Sequence, residues 1–492
     1  MTERCYDTIV VGAGFSGIAA AMALQDHRRV LVLEAGELGG RVRTRVLDDG
    51  RVAELGAQYI GRDHRRVMAL IEQLGLSSQL FDFVPGFGPD PVAVCELEGR
   101  RVVTRRSETY FQIQGLDARA PWAEQAKFLL ALSTIAGLCA LIDAREPASS
   151  PPARWLDAIT YADYVESFEL PPWFADLMYS GVRCVWSQNP EQMSALYVLW
   201  YMKTNGGFSA IFNDQDGSPQ QYGLRCGLGG LLERWVEELR EPPRLHSPVA
   251  SIRLDPDHAE VECASGERFT CEQLVVAMSP RAAGQITYTP SLSAARRELH
   301  DQPAGFAIKA QLFYDEPWWR MQPGQEDHVF AWLNGRGTKG IDWVLDASCP
   351  DPCLVCFITP ALIDELEQQD AASVEAAICD ALVELTGAPP ARNPARIEWT
   401  DWRKVEGVGG GPNTNFGPRV LTRVREHWRR PEHGRLYFAG AEYADSYTGY
   451  VEGAIASGRE VARQLLLDPR RTASTTRRLL DRVRRGIRLG AK

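Results

Sequence analysis

The chain opens on the β-rich run Tyr6-Asp7-Thr8-Ile9-Val10-Val11, which stops at a glycine turn and gives way to an alanine-rich apolar stretch, Ile18 to Leu24, with the texture of a helix. A second apolar run, Val30 to Leu33, ends at Glu34. Strand, helix and strand in this order form a β-α-β unit, whose right-handed crossover brings the end of the second strand beside the first turn. Much further along, Ala250 to Arg253 and Val261 to Cys263 alternate like antiparallel strands, while Leu274 to Ala277 and Leu436 to Ala439 are short apolar strands. These four adjoin Gly or Pro and fit the sheet begun at the N-terminus.

Between these segments the pattern changes. Residues 81–224 are rich in Trp, Tyr and helical periodicity, as in Ala195 to Met202. Residues 291–394 mix strand candidates such as Ala307 to Phe313 with a helix over Ala372 to Leu385. The alternation predicts a discontinuous nucleotide-binding domain from residues 1–80, 225–290 and 395–466, a substrate-binding domain from 81–224 and 291–394, and a tail at 467–492. A chain of 492 residues is too long for one ordinary core, which agrees with two domains.

Composition removes several classes of function. Hydrophobic residues at 45% and charged residues at 24% are the proportions of a packed globular protein. A net charge of −10 argues against nucleic acid as a partner, since that needs a clustered basic excess. Eleven cysteines, scattered from Cys5 to Cys379, read as buried thiols of a reducing, cytoplasmic setting. Cys349, Cys353 and Cys356 lack a fourth ligand nearby and run into an apolar strand, so no metal site is expected. Only Met1 to Arg4 precede the first strand, which leaves no signal peptide, and the longest apolar run, Phe128 to Ile142, falls short of the roughly 20 residues of a bilayer span and reads as a buried helix. No transmembrane segment is expected. The stretch Arg470 to Lys492 carries nine Lys or Arg against one acid, Asp481. A solvated or docked terminal helix is favoured there over weak contact with an anionic membrane surface. Homodimer formation is left open.

Chemistry enters with Gly12-Ala13-Gly14-Phe15-Ser16-Gly17, which directly follows a strand and opens a helix. Gly12 permits the tight turn, Gly14 lets the backbone approach a pyrophosphate, and Gly17 allows close helix packing. The helix N-terminus offers free N–H groups and roughly half a positive charge to a diphosphate. Glu34 is placed to accept both ribose hydroxyls of an adenosine and would repel a 2′-phosphate. Dinucleotide binding follows.

Beyond Glu34 stands Leu38-Gly39-Gly40-Arg41-Val42-Arg43-Thr44, a second flexible segment with two cations within reach of the same diphosphate, and then Glu54-Leu55-Gly56-Ala57-Gln58-Tyr59. The far end supplies Tyr437-Phe438-Ala439-Gly440-Ala441-Glu442 and Gly449-Tyr450-Val451-Glu452-Gly453-Ala454. From Tyr6 to about Leu467 these segments resemble the amine oxidase family of FAD proteins, the monoamine oxidases in particular. The resemblance implies an α/β fold: a Rossmann-type FAD-binding domain with an interleaved α+β substrate domain, as in the two-domain amine oxidase and glutathione reductase folds. It implies that Gly12, Gly14, Phe15, Ser16, Gly17, Glu34, Ala35, Gly40, Arg41, Gly56, Ala57, Gln58, Tyr59 and Val249 surround the adenosine, the diphosphate and the neighbouring chain of FAD. Gly440, Glu442, Gly449, Tyr450 and Val451 would meet the ribityl chain and the ring. Where monoamine oxidases carry Gly-Gly-Cys-Tyr, whose cysteine bonds the flavin, this chain has Gly409-Gly410-Gly411-Pro412, which implies non-covalent FAD.

For the reactive end, Lys309 lies within the otherwise apolar strand Phe306 to Gln311, and a buried lysine needs a partner or a function. It resembles the family lysine that holds water near flavin N5, which implies a part in flavin reduction or reoxidation by oxygen. Tyr450 resembles the tyrosine that walls the amine path, while the opposite wall of the family cage falls on Pro412 and is missing. Trp402 resembles a family tryptophan close to the ring, and Tyr59, Ile211, Phe212, Gln221 and Tyr447 are the implied substrate pocket. The implied activity is oxidation of an amine to an imine, then an aldehyde or ketone, with oxygen reduced to hydrogen peroxide. An L-amino-acid oxidase, for which Arg62 is the nearest carboxylate-binding candidate, or a C–C desaturase uses the same scaffold. A flavin-binding interaction protein without turnover is the alternative of another class.

Overall fold

Val30 to Leu33 and Ile9 to Val11 are apolar without interruption, and such strands are stable only where both faces of the sheet are covered. In the computed structural model, which describes residues 5–83, 91–97, 100–105, 122–211, 218–320, 328–335, 340–366 and 368–467, these runs occupy a seven-stranded sheet. Its order is Thr287–Thr289, Val249–Leu254, Ala259–Cys263, Arg268–Val276, Cys5–Val11 and Val30–Leu33, with Leu436–Phe438 beside the second half of Arg268–Val276. The strands around Cys5–Val11 are parallel, Ile9 lying opposite both Leu274 and Leu31. The helix Phe15–Leu24 covers one face and packs against the last described helix, Val451–Leu467. The first and last of the described helices are therefore neighbours.

The turn between the first strand and its helix depends on one close approach. A Cβ at Gly17 would sit 1.9 Å from the carbonyl oxygen of Gly12. Only hydrogen fits there, so the helix begins directly over the strand end.

A second seven-stranded sheet runs Arg396–Asp401, Ile308–Phe313, Cys353–Ile358, Ile341–Asp346, Val329–Asn334, Val92–Leu97 and Arg100–Arg105. All neighbours are antiparallel except Val329–Asn334 with Val92–Leu97. Two features depart from expectation. The strand Arg396–Asp401, assigned above to the nucleotide domain, pairs with Ile308–Phe313 in this sheet because Ile397 and Trp399 pack into the second sheet's core. The hairpin Val92–Leu97 and Arg100–Arg105 extends the same sheet from within a stretch whose texture looked helical. Leu80–Asp82 pairs with Tyr222–Leu224 where the two units meet.

The helix Ala195–Thr204 is buried along almost its whole length, and Trp186, Trp200 and Trp428 are fully enclosed in the core around it. The helix Trp122–Leu141 is different from the buried helix expected over Phe128 to Ile142. Phe128, Ala131, Ile135 and Cys139 face the core, but Leu129 and Leu130 are 62% and 64% exposed. At 20 residues it is, among the described residues, one helix long and apolar enough to cross a membrane by length and composition, with one face built into the core. The basic tail expected at 467–492 lies, from 468 onward, outside the described residues.

Gly17→Ala is expected to lower folding stability by about 1–3 kcal/mol, the usual cost of overpacking a filled site, read from the urea unfolding midpoint.

Candidate active site

A continuous cavity starts at the first glycine turn and ends against the second sheet. At its first end the N-cap of helix Phe15–Leu24 is Gly14, which has no side chain to cap the first-turn N–H groups. The hydroxyl oxygen of Ser16 is buried there with no hydrogen-bond partner among the described residues. Unsatisfied donors at a helix N-terminus are an anion site. Glu34 adjoins it, one carboxylate oxygen accepting from Ala13 N at 2.7 Å and the other from Gly36 N at 3.1 Å. Each oxygen keeps lone-pair capacity for a hydroxyl. Gly12, Phe15, Ala35 and Gly40 line this end. The donor set fits the diphosphate and ribose of a dinucleotide.

Midway, Arg41 makes a bidentate pair with Glu442, Nη1 to Oε1 at 2.8 Å and Nη2 to Oε2 at 2.9 Å, and also donates to the carbonyl of Pro412. Glu442 accepts in addition from Thr414 N at 3.1 Å and is buried. Arg41 lines the cavity, while the buried Glu442 is not among its lining residues. Of the two residues expected at the cofactor, Arg41 lines the cavity and Glu442 pairs with it. Gly440, Gly449 and Val451 line the opposite wall. A Cβ at Gly449 would lie 2.6 Å from the Tyr201 hydroxyl, and φ there is +85°. That turn carries Tyr450 onto the cavity surface.

At the far end Lys309 is 4% exposed, and its Nζ donates to the carbonyl of Gly56 at 2.9 Å and to Gln58 Oε1 at 2.8 Å. Burial pushes the Lys309 ammonium below the ordinary lysine range, and burial pushes the nearby Glu54 carboxyl up. Glu54 is held by the Thr44 hydroxyl at 2.7 Å and by Leu228 N. Trp402 lines the cavity with its indole N–H donated to Leu55 O at 2.8 Å. Ala57, Tyr59 and Ile211 complete the expected lining.

Some expected residues serve the cavity from outside. Gly17 packs under the turn, and Val249 lies in the first sheet opposite Cys263. Gln221 turns away to Asp82, to which its Nε2 donates at 2.8 Å, because its neighbour Gln220 takes the inward position. Tyr447 stacks edge-on with His64, ring centroids 4.7 Å apart, and His64 in turn stacks with Tyr450 at 5.4 Å. Phe212 lies outside the described residues.

Several lining residues carried no signal in the sequence. Gln220 donates to the Tyr450 hydroxyl at 3.1 Å, and Tyr201, Trp343 and Phe357 shape the apolar end. Trp343 and Phe357 sit opposite each other on neighbouring strands. Period-two alternation marks such positions as sharing a face, but which face meets the cavity is set by the docking of the two units. His64 is buried, its Nδ1 accepting from Gly61 N at 2.9 Å, and burial lowers its pKa to about 4. It is a neutral ring behind the tyrosine wall.

A β-α-β turn with an open helix end, an acidic residue just past the second strand and a long cavity reaching a second sheet define a two-domain, dinucleotide-binding oxidoreductase. A family model described as flavin containing amine oxidoreductase matches residues 15–466. The chain belongs to that family, and FAD is its cofactor. The flavin-containing amine oxidase A of Equus caballus is 28% identical over 477 residues, which cover 95% of this chain and 86% of that protein. The flavin-containing amine oxidase B of Homo sapiens is 27% identical over 474 residues, covering 95% and 87%. Among solved structures, cyclohexylamine oxidase from Brevibacterium oxydans superposes with a TM-score of 0.81 at 27% identity, over 93% of this chain and 98% of that one. A putrescine oxidase variant, 24% identical with a TM-score of 0.82 over 94% and 99%, shares the fold.

Glu442→Ala leaves the half-buried Arg41 without its carboxylate partner and is expected to cost about 1.5–3 kcal/mol of stability, with weakened FAD retention, read by thermal unfolding with and without added FAD. Because His64 has a folded pKa below its unfolded one, the unfolded chain binds the proton first, and stability falls as pH drops from about 6.5 toward 4. His64→Phe should lose about 2 kcal/mol less than the parent between pH 7 and pH 5 in denaturant titrations.

Proposed function

We propose that this FAD-dependent oxidoreductase acts on an amine with an apolar body, oxidising it to an imine that hydrolyses to an aldehyde or ketone, with oxygen returned as hydrogen peroxide. The observation that carries this reading is the reactive end of the cavity, where one buried ammonium, Lys309, faces a wall of aromatic and aliphatic side chains.

Bound FAD supplies acceptance of a hydride equivalent from the carbon attached to nitrogen. The chain orients and dries. Tyr450, pinned by Gln220 and backed by His64, presents an aromatic surface that suits an amine and fixes its approach. Trp343, Leu345 and Phe357 exclude water from the reacting carbon. Lys309, tied at two of its three N–H groups, holds a proton or a water at the reactive end and favours negative charge arising there. Trp402 fixes one edge of the cofactor slot.

An amino-acid substrate is disfavoured, since Arg62 is exposed and outside the lining, while the cavity's Arg41 is committed to Glu442. Non-covalent FAD is supported by Gly411 and Pro412, which line the cavity at the position of the family cysteine. The free thiols, eleven in all, support a reducing, cytoplasmic location.

Anaerobic mixing with a panel of amines should bleach the flavin band, and the same amines should yield peroxide in air. Amino acids and uncharged polycyclic compounds should do neither. Bleaching by amino acids alone would overturn the reading. Acid precipitation should release all the flavin into the supernatant, and Lys309→Met should retain FAD but slow turnover or reoxidation at least tenfold in stopped-flow traces.

A further inference from the structure

Lys309 and Gln311 stand two residues apart in the strand Ile308–Phe313, hence on the same face of the sheet. Gln311 is buried, and both ends of its carboxamide are engaged. One end meets Glu54 N at 2.7 Å. A backbone N–H can only donate, so this end of Gln311 is the oxygen. Its other end is then the NH2, which can only donate, and it contacts Gln58 at 3.2 Å. The contacting atom of Gln58 is therefore its oxygen, and the same oxygen accepts from Lys309 Nζ at 2.8 Å. The polarity of the chain of bonds is thus set alike from both ends, by the Glu54 main-chain N–H and by the ammonium, neither of which can accept. We infer that Gln311 is a positioning residue, which holds the Gln58 carboxamide with its oxygen toward Lys309 and so fixes both the place and the charge of the ammonium.

Lys309 has two acceptors, the Gln58 oxygen and the Gly56 carbonyl, which leaves its third N–H for the cavity. Rotating the Gln58 carboxamide by half a turn would set an NH2 against the ammonium, two donors with no acceptor between them. Nothing intrinsic to Gln58 prevents that rotation, because the two ends of an amide are nearly the same size. The bonds donated by Lys309 and by Gln311 both oppose it, and the one from Gln311 is anchored in turn to the main chain at Glu54 N. The ionisable groups facing the ammonium are few: the Glu54 carboxyl from the strand Val52–Glu54, and the Cys353 thiol from the adjacent strand, which burial keeps protonated and neutral. Against that sparse background a misoriented amide weighs heavily on Lys309.

The inference rests on the proposed part of Lys309 at the flavin, and the test separates the two. The FAD-loaded protein is used throughout. Two profiles are recorded against pH: the rate at which dithionite-reduced enzyme is reoxidised by oxygen, and the visible absorption of the resting oxidised enzyme, which needs no turnover. The midpoint belonging to Lys309 is identified by its loss in Lys309→Met. Gln311→Met should move that midpoint down by up to about one pH unit, since the acceptor of the charged amine, the Gln58 oxygen, is no longer held in place. Gln58→Met, which removes the acceptor itself, should move it at least as far. The decisive comparison uses Gln58→Glu, whose two oxygens are equivalent and need no orientation. In that background adding Gln311→Met should leave the midpoint in place.

A midpoint unmoved by Gln311→Met, or moved equally in the Gln58 and Glu-substituted backgrounds, overturns the positioning role while leaving the lysine's own role intact. A midpoint that survives in Lys309→Met instead removes the lysine from the proposed function, and this inference with it.

Discussion

One ion pair ties the two halves of the site together. Arg41 and Glu442 are 401 residues apart in the chain and meet as a bidentate pair inside the protein, with Pro412 and Thr414 bonded to the same two side chains. Burying a charge is costly unless it is paired and its remaining hydrogen-bonding positions are filled. Here the buried carboxylate of Glu442 is paired and also accepts from Thr414 N, and the pair joins a C-terminal segment to the N-terminal glycine turns. The helices Phe15–Leu24 and Val451–Leu467 pack beside each other through a shared apolar core, and Gly449 and Tyr450 line the same cavity as the open helix end at Ser16.

The electrostatics of the cavity vary along its length in keeping with what each part must hold. At the nucleotide end the field comes from uncapped N–H groups and one carboxylate, a combination suited to phosphate oxygens and to sugar hydroxyls. At the end that Lys309 lines, the described walls are aromatic and aliphatic, and among the described residues there the positive charge is the Lys309 ammonium, held by neutral carbonyl oxygens. Low polarity there strengthens whatever charge does appear, which is why the orientation of one buried amide matters. The neutral His64 follows the same rule, supporting Tyr450 without adding charge behind it.

The second sheet is the platform for this end. Ile308–Phe313 pairs with Cys353–Ile358 on one side and Arg396–Asp401 on the other, and its face presents Lys309 and Gln311 to the loop after Val52–Glu54. Hydrogen bonds between this strand and Gln58, Gly56 and Glu54 thereby join the second sheet to the segment that follows Val52–Glu54. A shift of one residue in the register of that strand would exchange Lys309 for apolar neighbours.

Short-range pattern was enough for the parts whose chemistry is local. The β-α-β unit, the glycine turn, Glu34 and the lysine interrupting an apolar strand are each legible because strand, helix and turn preferences act over a few residues, and resemblance at both ends of the chain pointed to the flavin and to amine chemistry. Other features depended on distance. That Arg396–Asp401 belongs to the second sheet, that Gln220 rather than Gln221 faces inward, and that Glu442 pairs with Arg41 follow from which surfaces meet after folding. Composition and periodicity decide which side chains share a face, because backbone geometry repeats locally. Which face becomes the wall of the cavity, and which way the Gln58 amide points within it, is decided by contacts between segments hundreds of residues apart, and those exist only in the folded chain.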